Sequence, residues 1–270
     1  MTVAESLILK DNVVPVPESE RPQPDAYHAR TGHALIPGNS KVFEQIDEIQ
    51  NYAKSNDMKL NLKKTKFMLF NQCSSIDFMP TLSLEGKEIE LVEEMKILGV
   101  VLTSDLKFSS NTEYMIKRAY KRVWMLRRLK NLGASNHQLV DVYVKQVRSV
   151  LELAVPVWHS SLTVADKLDI ERVQKAALHV ILGDSYHSYS SACAATNLPT
   201  LEERRQMLCK KFAFKSLKHP KHTSWFKLNK NVSGTRQKQP TFCNVVSRTS
   251  RFEKSPLSYL TKILNRYCKP

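Results

Sequence analysis

From residue 41 onward, apolar and polar positions alternate in distinct regimes. Phe43, Ile46, Ile49 and Ala53 recur at three- and four-residue intervals, with Glu44, Asp47, Glu48 and Lys54 facing away. That is the period of a helix with one buried face. Met58, Leu60 and Leu62 then alternate with Lys59, Asn61 and Lys63, and an apolar run follows at 67–70. Both patterns predict strands. Leu82-Ser-Leu84 and Ile89-Glu-Leu91 flank Glu85-Gly86-Lys87, which predicts a short hairpin turned by Gly86. Residues 96–102 form an apolar run interrupted by Gly99, which predicts a tight bend or a close backbone approach.

Beyond Ser109 the period becomes helical and remains so. Ile116, Ala119, Tyr120, Val123, Leu126 and Leu129 form one stripe, ended by Gly133. Leu139, Val140, Tyr143, Val147, Val150 and Leu151 form a second, stopped before Pro156. A third starts at the Thr163-x-x-Asp166 cap and runs through Leu168, Val173, Ala176, Ala177 and Val180 to Gly183. A fourth starts at Thr200-x-x-Glu203 and carries Leu208 and Phe212 before Pro220. Residues 220–250 are basic and polar and read as irregular, and a last short helix is expected over 257–264.

Six of the twelve prolines fall between Pro15 and Pro37, so residues 10–40 read as a long exposed loop. The expected fold class is an α+β N-terminal part followed by a mainly α-helical region. Its segments are a Pro-rich loop at 1–40, helix and strands at 41–108, helices at 109–219 and a basic irregular segment at 220–270.

Charge sharpens this division. Residues 1–100 carry 11 Lys+Arg against 15 Asp+Glu, a net −4. Residues 101–270 carry 30 against 11, a net +19 within an overall +15. A polyanion partner for the C-terminal part and a solvated, Lys-rich helical surface both fit this asymmetry. No apolar run is long enough to cross a bilayer and no signal peptide opens the chain, so no membrane partner is expected. Five cysteines without a C-x-x-C pair make neither a disulfide scaffold nor a zinc knuckle. The expected location is intracellular, with nucleus and cytoplasm both open.

Catalytic chemistry is sparse. Two-metal phosphoryl transfer needs clustered carboxylates, and the chain has no Asp-Asp dipeptide. The Glu93-Glu94 and Glu202-Glu203 pairs read as a solvent-exposed pair and a helix first turn. There is no H-E-x-x-H, no G-x-S-x-G and no P-loop. The basic pairs say more. Lys117-Arg118, Lys121-Arg122 and Arg127-Arg128 share one predicted helix with Tyr120 and Trp124. Residues 117, 121 and 128 fall near one another on it, placing a basic strip beside aromatic rings. Such a strip would neutralise backbone phosphates without reading bases. An amphipathic helix with a solvated charged face explains the apolar stripe equally well, but not the near absence of acids.

Ordered motifs carry a family resemblance. Asn61-Leu-Lys-Lys64-Thr65-Lys-Phe-Met68 resembles the N-x-x-K-T-x-x-M segment after the catalytic strand of reverse transcriptases from retrotransposons lacking long terminal repeats. Lys96-Ile-Leu98-Gly99-Val100 resembles their K-x-L-G-V primer-grip strand. Val150-Leu-Glu152, Pro156-Val-Trp158, Ile170-Glu-Arg-Val-Gln174 and Pro199-x-Leu-x-x-Arg204-Arg205 are similar to signatures of their C-terminal helices. Arg248-Thr-x-Arg-Phe252 and Ser255-Pro-Leu-Ser-Tyr-Leu260 resemble the closing segment. Each motif is short; their order over residues 41–267 carries the resemblance. The first motif is also similar to a short stretch of an AlkB-type tRNA-modifying enzyme, but the chain has neither that enzyme's iron triad nor a glycine-rich cofactor loop.

The resemblance implies a palm end with primer grip at 41–108 and a thumb at 109–219. Lys64 would approach the incoming nucleotide, where a lysine suits departing pyrophosphate. Lys96, Leu98 and Gly99 would form the primer grip. The basic helix with Lys117, Arg118, Lys121, Arg122, Arg127 and Arg128 would track RNA or an RNA–DNA duplex. The resemblance also implies that the chain starts just past the Y-x-D-D hairpin with the metal-binding aspartates. The N-terminal part of the polymerase would then be a partner. No catalytic residue, metal site or cofactor is expected in this fragment, with Mg²⁺ expected only for the complete polymerase. The alternative is a non-catalytic basic helical module that binds nucleic acid or a protein.

Overall fold

The computed structural model describes residues 13–15, 40–70, 81–84, 86–229, 241–244, 246 and 249–268. The chain divides into two compact units, residues 1–106 and 107–270. It is a mixed α+β chain with a helical C-terminal region.

In the first unit, α1 (Ser40–Ser55) leads through a left-handed Asp57 into β2 (Met58–Leu60). Ile46 and Ala53 of α1 are buried with Leu60, Phe67, Leu82, Leu84 and Ile89, so the predicted apolar face of the helix lies against the strands. β2 pairs antiparallel with β1 (Val13–Pro15). This is a strand inside the segment expected to be loop; Pro15 is tolerated because β1 pairs on one side only. The rest of the Pro-rich loop lies outside the described residues.

β3 (Lys66–Phe67) pairs in parallel with β6 (Glu90–Leu91), and β4 (Ser83–Leu84) pairs antiparallel with β5 (Lys87–Glu88). The expected 82–91 hairpin is therefore shorter than its apolar pattern. Ile89 N–H donates to the Leu82 carbonyl at 2.8 Å, and the chain then leaves to pair with β3. β7 (Glu94–Ile97) and β8 (Val100–Thr103) form a hairpin closed by Leu98 and Gly99, both at positive φ. Two such residues make the turn whose twist suits a two-residue hairpin loop.

The second unit is helical. It contains α2 (Ser109–Asn131), α3 (Asn136–Val142), α4 (Ser149–Leu151), α5 (Val155–Trp158), α6 (Val164–Leu182), α7 (Tyr189–Thr196), α8 (Leu201–Lys218), α9 (Ser250–Glu253) and α10 (Pro256–Tyr267). Between α3 and α4 the helix widens into a π-helical stretch, Tyr143–Arg148. Ser135, Thr163, Ser188 and Thr200 each close a capping box at the start of α3, α6, α7 and α8. These boxes satisfy backbone donors that would otherwise have no acceptor, so the helices start where the sequence places Ser or Thr three residues before a partner.

α2 packs mainly on α6. Their core faces carry Met115, Ala119, Val123 and Leu126, and Ile170, Val173, Ala177, Leu178 and Ile181. Three predicted stripe residues are not core. Tyr120 and Leu168 are exposed, and Phe212 is only half-buried. The core face of α8 instead runs through Leu201, Arg205, Cys209, Ala213 and Ser216. Three of those five are polar, small or charged, so hydrophobic periodicity passes over them.

Candidate functional site

The expected site residues fall in both units. In the first, Lys64 occupies the turn after β2. Lys64 N–H and Thr65 N–H both donate to the Asn61 carbonyl, at 2.9 and 3.0 Å, and the Thr65 hydroxyl adds a third bond at 3.0 Å. Asn61 and the buried Thr65 thereby fix a turn that leaves Lys64 exposed. The neighbouring β3 pairs with β6, not with the β7–β8 hairpin.

At the tip of that hairpin Leu98 is 94% exposed with φ +47°, followed by Gly99 at φ +89°, and Lys96 is exposed on β7. A leucine in the left-handed region costs about 1–2 kcal/mol relative to a turn glycine. Its side chain recovers little of that by burial.

In the second unit the basic helix is α2, with seven Lys and Arg against one acid, Glu113. At 3.6 residues per turn, Lys117, Lys121, Arg127 and Arg128 share the face opposite the core, and all four are exposed. Arg118 and Arg122 do not join them. Both are half-buried on the flank: Arg122 donates to the Gln146 carbonyl in the π-helical stretch, and the Arg118 guanidinium lies 5.4 Å from the Tyr114 ring centroid. On the outer face, Lys117 pairs with Glu113 at 2.5 Å and Arg128 stands 5.4 Å from the Trp124 ring centroid. Lys121 and Arg127 have no side-chain partner among the described residues. Lys130, the seventh cation, is structural: its ammonium donates to the Val180 and Ile181 carbonyls at 2.7 and 3.0 Å, at the C-terminus of α6.

The polar residues of the helical motifs find one another. Glu152 accepts a bidentate pair of bonds from Arg204, at 2.8 and 2.9 Å, and Arg148 lies 3.3 Å from the same carboxylate. This hydrogen-bonded carboxylate raises the proton affinity of Arg204. Gln174 accepts from the buried Tyr143 hydroxyl at 2.6 Å and donates to the Pro199 carbonyl at 3.0 Å. Trp158 is fully buried, with its indole N–H on the Leu153 carbonyl at 2.8 Å. Trp158 and Gln174 are therefore core residues.

Two further groups had no sequence signal that marked them. Glu171 on α6 accepts from the Tyr189 hydroxyl and from the backbone N–H groups of Leu201 (3.3 Å) and Glu202 (2.6 Å), capping α8 from outside. Arg205, only 1% exposed, lies 3.7 Å from Glu171, and none of its guanidinium nitrogens has a hydrogen-bond partner among the described residues. Burial pulls its pKa down, opposed by Glu171. The buried His159 packs edge-on against Tyr259, and burial, then the charges of Arg205 and Lys167, hold its imidazole down at about 4. Burial also pushes the Cys209 thiol up to about 12, which leaves it unreactive.

Among the described residues, no three His, Cys, Asp or Glu side chains gather in a way that could hold a metal ion. No helix among them is long and apolar enough to cross a membrane. Compared with protein-family models, curated proteins and solved structures, the chain matches none.

Proposed function

We propose that this chain is a nucleic-acid-binding piece of a reverse transcriptase of the non-LTR retrotransposon type, holding template–primer through the outer face of α2 without polymerising alone. The observation that carries the binding half is that face itself. Lys117, Lys121, Arg127 and Arg128 stand together with one acid among them, and two of the four have no partner to neutralise them. Exposed cations so placed release counterions from a phosphate backbone, whatever its base sequence. The polymerase half rests on the ordered motifs, whose polar members form the Glu152–Arg204, Glu171–Arg205 and Gln174–Pro199 contacts. In this reading Lys64 neighbours the incoming nucleotide, and Lys96, Leu98 and Gly99 meet the primer. Their exposure suits contact with a ligand.

Fluorescence anisotropy with a labelled RNA–DNA hybrid tests the binding. Affinity should fall steeply with salt, and the Lys121→Glu, Arg127→Glu, Arg128→Glu variant should flatten the log–log salt slope by about three. Binding that is flat in salt, or absent at low salt, defeats the reading. With Mg²⁺, nucleotides and a primed template, the 270-residue chain should incorporate nothing; measurable synthesis would overturn the inactive assignment.

A further inference from the structure

The centre of the outer face of α2 is not a cation. Trp124 stands opposite the core residues Ala119, Val123 and Leu126, and it is 59% exposed; Tyr120, one turn earlier on the same row, is 42% exposed. A helix that only presented charge to water would carry Lys or Glu at these two positions. We propose that Tyr120 and Trp124 form a stacking platform for unpaired bases, so that this face takes single-stranded nucleic acid in preference to an unbroken duplex. This inference rests on the nucleic-acid reading above and names which form of nucleic acid the face selects.

Three features carry it. Residues four apart on a helix surface have Cβ atoms roughly 5–6 Å apart, so two rings on one row can meet successive bases of an opened strand. The closed stack of a duplex has a rise of about 3.4 Å per base and hides its π faces, leaving phosphates and groove edges to bind. Protruding rings at the centre of a duplex-tracking face would hold the phosphates away from the cations on either side. The second feature is the position of those cations. Lys121 and Arg127 flank the rings without partners among the described residues, and the Arg128 guanidinium lies 5.4 Å from the Trp124 centroid. Single-strand sites combine aromatic stacking and backbone charge in this way. The third is charge complementarity. Seven cations to one acid on this helix select a polyanion, and the apolar side of the helix is already occupied by the core and is not free for a membrane.

The full 270-residue chain is titrated at low salt with a labelled 20-nucleotide oligo(U), an oligo(dT) of equal length and a 20-base-pair RNA–DNA hybrid. Single strands should bind at least several-fold more tightly than the hybrid and should quench tryptophan emission. The Tyr120→Ala, Trp124→Ala variant should weaken single-strand binding by tenfold or more and leave hybrid binding within about twofold. Trp124→Phe should keep most of the affinity and lose most of the quenching. Both positions are exposed, and unchanged circular dichroism verifies that the variants fold. A preference for the hybrid, or single-strand affinity untouched by the double substitution, overturns this inference while the nucleic-acid reading stands. Absence of binding to all three probes overturns both.

Discussion

At the scale of single residues, the informative positions are buried charges. Glu171 receives three hydrogen bonds that do not involve Arg205, whereas Arg205 has Glu171 as its nearby acid and no hydrogen bond of its own. Removing the two partners should therefore have unequal effects. Glu171→Ala strands a buried guanidinium and uncaps α8, which should cost about 3–5 kcal/mol in urea unfolding. Arg205→Met leaves Glu171 satisfied and should cost under about 1 kcal/mol or stabilise the fold. Equal losses would show that the guanidinium itself holds the helices together. His159 makes a second, pH-dependent prediction. Its folded pKa of about 4 lies below the ordinary 6.5, so between these values the unfolded chain binds more protons and stability rises with pH. The contribution, about 3 kcal/mol, is fully present above pH 6.5, and about 2 kcal/mol of it should be gone by pH 5. His159→Phe keeps a ring against Tyr259 and should flatten the urea midpoint over that window. An unchanged slope would place the titration elsewhere.

At the scale of elements, the end of α6 is the most constrained junction. Gly183 caps the helix with φ +56° and ψ −125°, and a Cβ there would meet the Lys130 ammonium at 2.8 Å. Gly183→Ala should cost about 1–3 kcal/mol by thermal unfolding, through backbone strain and through the displaced Lys130 bonds to Val180 and Ile181. Lys130→Met should recover part of that loss, because the obstructing ammonium is gone. This junction also shows what was legible in advance. Gly183, Thr163 and Thr200 marked helix ends because capping chemistry is local, and the structure puts caps at all three. The core face of α8 was not legible: Arg205 and Ser216 lie inside it, and only a partner far along the chain, Glu171, makes the first tolerable. Tyr120 and Leu168 misled for the converse reason, since an apolar residue at helical spacing need not face the core. Of the candidate site, spacing alone brought Lys117, Lys121 and Arg128 to one face. It did not show that Arg122 turns aside toward Gln146, because that depends on the neighbouring helix.

At the scale of the whole molecule, charge and architecture divide at nearly the same place. Residues 1–106 carry 11 basic and 16 acidic groups and form the α+β unit; residues 107–270 carry 30 and 10 and form the helical one. The proposed binding face belongs to the unit that holds the surplus, so the field of that unit and the local cations of α2 draw a polyanion with the same sign. The internal acids of the helical unit are largely committed. Glu152, Asp166, Glu171 and Glu203 serve Arg204 or the helix caps, which leaves them little part in screening the outer cations.

The π-helical stretch at 143–148 sets a different kind of limit on this molecule. A wider turn holds one residue more than an α-helix would over the same path. Deleting any one residue there would let the helix tighten and would rotate everything after it by about 100°. Val150 and Leu151 would then leave the core, and Arg148 and Glu152 would lose their alignment with Arg204. Along this segment the number of residues matters more than their identity. Point substitutions at its exposed Lys145 and Gln146 should be tolerated where a single-codon deletion is not.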